Sequence, residues 1–161
     1  METLAVATVE CFTHGLIGVI LHRLSAPYRK ERLPLKVVFS SFIPNPVAAE
    51  TILGIKLPPP QILLGGYVKV YDQKGDEEVV RLMAERLRAL LSCDICIASS
   101  AGVGYGAVSV LFRGKMHVIR PPVWVDLRTA TQREVLKRRN LAVKKTLKLI
   151  RDLIEGNNPP R

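Results

Sequence analysis

Near the start of the chain a β-branched, apolar run, Val6-Ala7-Thr8-Val9, ends abruptly in Glu10-Cys11-Phe12-Thr13-His14-Gly15. Cysteine reacts as the thiolate, and a thiolate is favoured at a helix N-terminus, where unpaired N–H groups and the positive end of the helix dipole attract anions. The apolar segment 16–24 suits a helix packed on a sheet, with Thr13 as its N-cap. Cys11 is then expected just ahead of that helix. His14 is placed to add positive charge or to act as a general base, and Gly15 lets backbone or ligand approach closely. The chemistry this pattern allows is acyl transfer to sulfur. The same residues also describe an inert cysteine buried at a strand end, since free cysteine is among the most buried residue types.

A second candidate lies in Cys93-Asp94-Ile95-Cys96-Ile97-Ala98, a strand delivered into the loop Ser99-Ser100-Ala101-Gly102-Val103-Gly104-Tyr105-Gly106. Backbone N–H groups of such a loop can cradle a phosphate. The spacing matches neither a Walker A loop nor a dinucleotide fingerprint, and a tight turn into the next strand is the competing reading. Cys93 and Cys96 have redox or zinc spacing, but side chains three apart on a strand point to opposite faces. Glu10, Cys11 and His14 lack a further ligand of clear candidacy. No metal site is expected.

The elements that must position these residues alternate between strand and helix, which predicts a single-domain layered α/β sandwich with a mixed sheet. Strands are expected at 4–9, 35–39, 62–64, 67–71 and 93–98, with a hairpin formed by 107–112 and 116–119. Helices are expected at 16–24, from the Asn45-Pro46 cap to about Gly54, from Gly75-Asp76-Glu77-Glu78 through Leu91, and from about Thr131 to Glu155. His22 is read as a helix-surface residue and His117 as a strand residue. Residues 1–156 form the domain, and 157–161 a frayed tail.

The bulk properties exclude several classes. A chain of 161 residues with 48% hydrophobic content can bury a real core, which rules out a disordered chain. Twenty-four Lys plus Arg against 14 Asp plus Glu give a formal charge of +10, favouring anionic partners without naming one. On the last helix Arg133, Lys137, Arg138, Arg139, Lys144, Lys145, Lys148 and Arg151 are expected to form a basic face opposite Leu136, Val143, Leu147, Ile150 and Ile154. Aromatic interleaving is missing and Glu134, Asp152 and Glu155 interrupt the run, so a solvated face is expected in place of a nucleic-acid surface. Three cysteines suit a reducing compartment, and neither a signal peptide nor a membrane-spanning run is read, so the expected location is cytoplasmic.

The block Ala7-Thr8-Val9-Glu10-Cys11-Phe12-Thr13-His14-Gly15, with Gly65-Gly66-Tyr67-Val68 and the loop from Ser99 to Gly106 in order behind it, resembles the archaeal HcgF family. That family is associated with building the iron-guanylylpyridinol cofactor of Fe-hydrogenase. The resemblance runs nearly end to end. It implies a homodimeric α/β protein that binds guanylylpyridinol and takes its carboxyl group as a thioester on the cysteine of this block, the position of Cys11. It further implies an adenylating partner enzyme, because thioester formation from a free carboxylate is uphill in water. Cys11 and His14 are then the catalytic candidates. Thr13 and Gly15 would help hold the reacting end, with Glu10 beside them. Ser99, Ser100, Gly102 and Gly104 would take phosphate or ribose, with Gly65 and Gly66 as further ligand-binding candidates. No permanently bound cofactor is implied.

A more distant likeness is to the CinA C-terminal domain, the nicotinamide-mononucleotide amidohydrolase fold, with its Glu-Ser-Cys-Thr-Gly-Gly block. Glu10, Thr13 and Gly15 match that pattern, whereas Cys11 stands for Ser, Phe12 for Cys and His14 for the first Gly. A thiol thus replaces a hydroxyl at the same place, so the likeness implies a nucleophile beside a nucleotide-like ligand without implying the amidohydrolase activity itself. Two alternatives stand beside acyl capture: a pyridine-nucleotide amidohydrolase of CinA type, and a non-catalytic nucleotide-binding protein whose cysteine is merely buried.

Overall fold

Leu4, Val6, Thr8 and Glu10 alternate with Ala5, Ala7 and Val9 along the first strand, and period-2 geometry sends the two sets to opposite faces of a sheet. The computed structural model describes residues 2–156 and places this strand, β1 (Leu4–Glu10), inside a sheet covered on both faces. The elements follow in the order α1 (Leu16–Ser25), β2 (Leu35–Phe42), α2 (Pro46–Leu53), β3 (Ile62–Leu64), β4 (Val68–Val70) and α3 (Gln73–Leu91). Then come β5 (Ile95–Ser100), β6 (Val103–Gly104), β7 (Ala107–Phe112), β8 (Lys115–Ile119), β9 (Val125–Asp126) and α4 (Gln132–Ile154). The expected tail at 157–161 lies outside the described residues.

The main sheet runs β2-β1-β5-β7-β8, with β1 parallel to both β2 and β5, and β7 and β8 antiparallel additions. It is the mixed-sheet, layered α/β domain that the element pattern predicts. One apolar layer packs Leu4, Val6, Ile95, Ile97, Val108 and Val110 against Ile17 and Leu21 of α1 and Val143 and Ile150 of α4. The other packs Ala7, Val9, Cys96 and Ala98 against α2 and α3. Every residue of β5 is buried, as a strand covered on both faces requires. The chain crosses from β2 on one side of β1 to β5 on the other, so the carboxyl ends of β1 and β5 meet at a topological switch point, the usual ligand crevice of an open α/β sheet.

Local signals explain most element ends. The Asn45 side chain caps α2, Pro46 takes its first position and Gly54 closes it in the left-handed conformation. Arg113 and Gly114, both at positive φ, turn the β7–β8 hairpin. Three expectations are corrected. Helix α3 begins at Gln73 with Asp72 as its cap, two residues before the expected acidic start, because the Asp72 carboxylate accepts the Gly75 N–H. Strand β5 starts at Ile95, which leaves Cys93 ahead of it. Thr13 does not cap α1: Gly15 is the N-cap, at φ 76°, and no side chain bonds from that position.

Candidate functional site

What replaces the Thr13 cap is Glu10. Its side chain follows β1's alternation towards α1 and is fully buried there. Oε1 accepts the Ile17 N–H at 3.0 Å and the Thr13 hydroxyl at 2.7 Å, and Oε2 accepts the Gly18 N–H at 2.9 Å and the Thr8 hydroxyl at 2.9 Å. The carboxylate thereby takes the anion position at the start of α1 that is expected from the sequence to favour the thiolate. Burial raises the Glu10 pKa above its ordinary value, and the four donated bonds oppose that shift without cancelling it. Two consecutive left-handed residues, His14 at φ 56° and Gly15 at φ 76°, swing the chain from β1 into α1 so that residues seven and eight positions on can reach Glu10.

This turn presents Cys11 at the carboxyl end of β1. Its N–H donates to the carbonyl and hydroxyl oxygens of Ser99 at 3.2 and 3.0 Å, which ties the turn to the end of β5. Since the Thr13 hydroxyl donates to Glu10, the 2.7 Å contact between Thr13 and Ser99 has Ser99 as donor. Glu10, Thr13 and Ser99 are therefore one satisfied network beneath Cys11, all three wholly buried. Cys11 is 8% exposed and unbridged.

His14 is exposed, and its ring does not form a bonded pair with the sulfur of Cys11 among the described contacts. The two residues join through the backbone, His14 N–H to Cys11 C=O at 3.0 Å. The ring packs edge-on against Phe42, and Nδ1 lies 3.1 Å from a guanidinium nitrogen of Arg139. A guanidinium only donates, so Nδ1 accepts and Nε2 carries the ring proton. Burial, then the Arg139 charge, lowers the His14 pKa. Of the two roles open to His14, added positive charge is disfavoured, and the remaining N–H is a neutral donor at the rim.

The loop after β5 also departs from expectation. Its amides are spent inside the protein: Gly102 N–H on Asp76, Val103 N–H on the Tyr71 carbonyl, and Tyr105 and Gly106 N–H on the Gln73 side chain. The expected phosphate cradle is replaced by a loop laced to α3. Ser100 donates to Asp76 at 2.7 Å and accepts from Lys69 at 3.1 Å, with Lys69 only 2% exposed. Gly65 and Gly66 occupy the turn of the β3–β4 hairpin, both at positive φ. A Cβ on Gly102 would stand 2.2 Å from the Tyr71 carbonyl oxygen and 2.5 Å from its nitrogen. Backbone cannot yield as a side-chain tip can, so Gly102→Ala is expected to lower stability by about 2–3 kcal/mol in urea unfolding.

Asp76 and Arg138 are the residues that sequence reasoning misplaced. Asp76 was read as an acid in the first turn of a helix, yet it is fully buried, and that burial pushes its pKa up to about 6 against the pull of Ser100, Gly102, Lys69 and Arg138. Between the ordinary value of 3.8 and about 6 the folded protein keeps a proton that the unfolded chain has lost. Stability is therefore expected to fall by about 2 kcal/mol as pH rises from about 4 to about 7 on account of Asp76. Urea titrations across that range in wild type and Asp76→Asn check this, the slope being shallower in the variant.

Arg138 was assigned to the basic outer face of α4 but is 1% exposed, on the inner stripe with Ala142, Val143, Thr146 and Ile150. Its Nη1 donates to the carbonyls of Gly102, Gly104 and Val125 at 3.1, 2.9 and 3.2 Å, and its guanidinium carbon lies 5.7 Å from the Phe12 ring centroid. The thiols of Cys93 and Cys96 are buried, which raises both pKa values, that of Cys96 to about 12. Among the described residues no three His, Cys, Asp or Glu side chains gather as a metal site, and no helix is long and apolar enough to cross a membrane.

Comparison with known proteins adds two findings. A family model described as FeGP cofactor biosynthesis protein HcgF matches residues 3–154. A UPF0254 protein of Methanococcus maripaludis strain C6 is 34% identical over 161 residues, covering 94% of this chain and 96% of that one. A UPF0254 protein of Methanocaldococcus jannaschii is 33% identical over 165 residues, covering 94% and 97%. Among solved structures, a CinA-superfamily protein from Enterobacter cloacae superposes with a TM-score of 0.55 at 20% identity, covering 92% of this chain and 83% of that one. Another from Escherichia coli gives 0.52 at 19%, covering 91% and 81%. That likeness establishes the fold.

Proposed function

This chain belongs to the HcgF family of FeGP cofactor biosynthesis proteins, and from that premise we propose that Cys11 captures the activated carboxyl group of guanylylpyridinol as a thioester. In the step, the Cys11 thiolate attacks the acyl carbon of the adenylated ligand. The new C–S bond forms as the C–O bond to the adenylate phosphate breaks, AMP leaves as an anion, and the thiol proton passes to solvent. A separate adenylating enzyme supplies the activated group. The same reading takes the protein as a homodimer and His14, with Thr13 and Gly15 beside it, as the group that orients the reacting end.

The observation that supports this reading is the placement of Cys11 at the carboxyl ends of β1 and β5, in a turn held by the buried Glu10–Thr13–Ser99 network. Cys93 and Cys96 instead pack in the core between the sheet and α3. Intact-mass measurement after incubation with adenylated guanylylpyridinol tests it. The expected result is a gain equal to one acyl group per chain, reversed by hydroxylamine; an unchanged mass would overturn the reading.

A further inference from the structure

Arg138 spends one nitrogen and leaves two idle. Nη1 serves three loop carbonyls, whereas Nε and Nη2 are shielded from solvent and have no acceptor among the described residues. Burying a cation with two unmet donors is costly, and an apolar side chain would fill the same volume without that cost. The idle pair is also the side-on edge of the guanidinium, whose two parallel N–H groups match the two oxygens of a carboxylate. That edge sits in the neighbourhood of the reacting residue. The Phe12 ring against the guanidinium belongs to the residue after Cys11, and the carbonyls of Gly102 and Gly104 that Nη1 serves lie in the loop that follows Ser99, the partner of the Cys11 N–H. Burial lowers the Arg138 pKa, and the charge of Asp76 opposes that shift. Asp76 is already committed to Ser100 and Gly102.

We propose that the free Nε–Nη2 edge of Arg138 is a carboxylate receptor that positions the ligand's carboxyl group beside Cys11. The inference rests on the reading that a pyridine ligand bearing a carboxyl group reacts at Cys11, and it adds the residue that selects carboxylate over amide. Because both nitrogens are covered, occupancy displaces part of the cover, and the Phe12 ring is the part in contact with the guanidinium.

Pyridine-2-carboxylate and pyridine-2-carboxamide are the probes, since neither can form the thioester under these conditions. In the wild-type protein the Arg138 Nε–Hε NMR signal, assigned by its loss in Arg138→Lys, is expected to shift saturably with the carboxylate and to stay in place with the amide. The carboxylate is further expected to slow iodoacetamide labelling of the Cys11 peptide by about threefold or more, with protection weakened in Arg138→Lys and lost in Arg138→Gln. Equal protection by both probes, or protection that survives Arg138→Gln with native circular dichroism, would overturn the proposal. Where Arg138→Gln does not fold, the wild-type NMR titration decides alone. A missing thioester with carboxylate recognition intact counts against the proposed function only, and a thioester without carboxylate recognition counts against Arg138 only.

Discussion

Replacement of Cys11 by alanine is expected to abolish the hydroxylamine-labile adduct and to leave the fold standing. In the proposed reaction the sulfur is the reacting atom, and the hydroxyls beneath it are already engaged: Thr13 donates to Glu10 and Ser99 donates to Thr13. Removing a nucleophile costs at least about a thousandfold in rate and usually far more. Serine at the same position keeps the shape but offers a hydroxyl that stays protonated at neutral pH, so it too is expected to fall by that order. Stability changes little, by about 1 kcal/mol for a small side chain lost at the end of a strand. Intact mass for the adduct and a thermal melt for the fold separate the two effects. An adduct retained in Cys11→Ala would place the chemistry elsewhere.

The second large effect is on the scaffold. Glu10→Ala strips acceptors from the buried N–H groups of Ile17 and Gly18, and each buried donor left unmet costs about 1–3 kcal/mol. Thr8 and Thr13 retain Ser40 and Ser99 as partners, so their loss is smaller. With the cavity added, a destabilisation of about 4 kcal/mol is expected, or roughly 10 °C in melting temperature for a chain of this size. Glu10→Gln is expected to cost about 2 kcal/mol, because an amide nitrogen would face a donor that the carboxylate now satisfies. Urea denaturation ranks the series wild type, Gln, Ala. The labelling rate of Cys11 should change in both variants, since the turn that holds it is anchored by the same carboxylate.

The parts of this architecture that were legible in the sequence rest on short-range rules. Val6 to Val9 ending at a glycine turn, Asn45-Pro46 against Gly54, and the start of the last helix at Thr131 each involve groups within a few residues of one another. What escaped the reading is long-range. Glu10 caps a helix seven and eight residues ahead, which works only because His14 and Gly15 both turn left-handed. Asp76 had the position of an ordinary dipole-complementing acid, and its role emerges only when β5 delivers Ser100 and Gly102 to it. Arg138 was hidden among neighbouring cations, although one signal was present. Arg138, Ala142, Thr146 and Ile150 recur at four-residue spacing, and the small residues at 142 and 146 mark a face pressed closely against the sheet. The glycines of the loop after β5 suggested a phosphate cradle, but Gly102 is glycine because the backbone of Tyr71 lies against it.

The most direct measurement of the central claim is site-resolved mass spectrometry of the acylated wild-type protein, digested so that Cys11, Cys93 and Cys96 fall on resolvable peptides. Acyl capture at the switch point predicts that the added mass lies on the Cys11 peptide alone and disappears with hydroxylamine. An acyl group on Cys93 or Cys96, or one that hydroxylamine cannot remove, would contradict it.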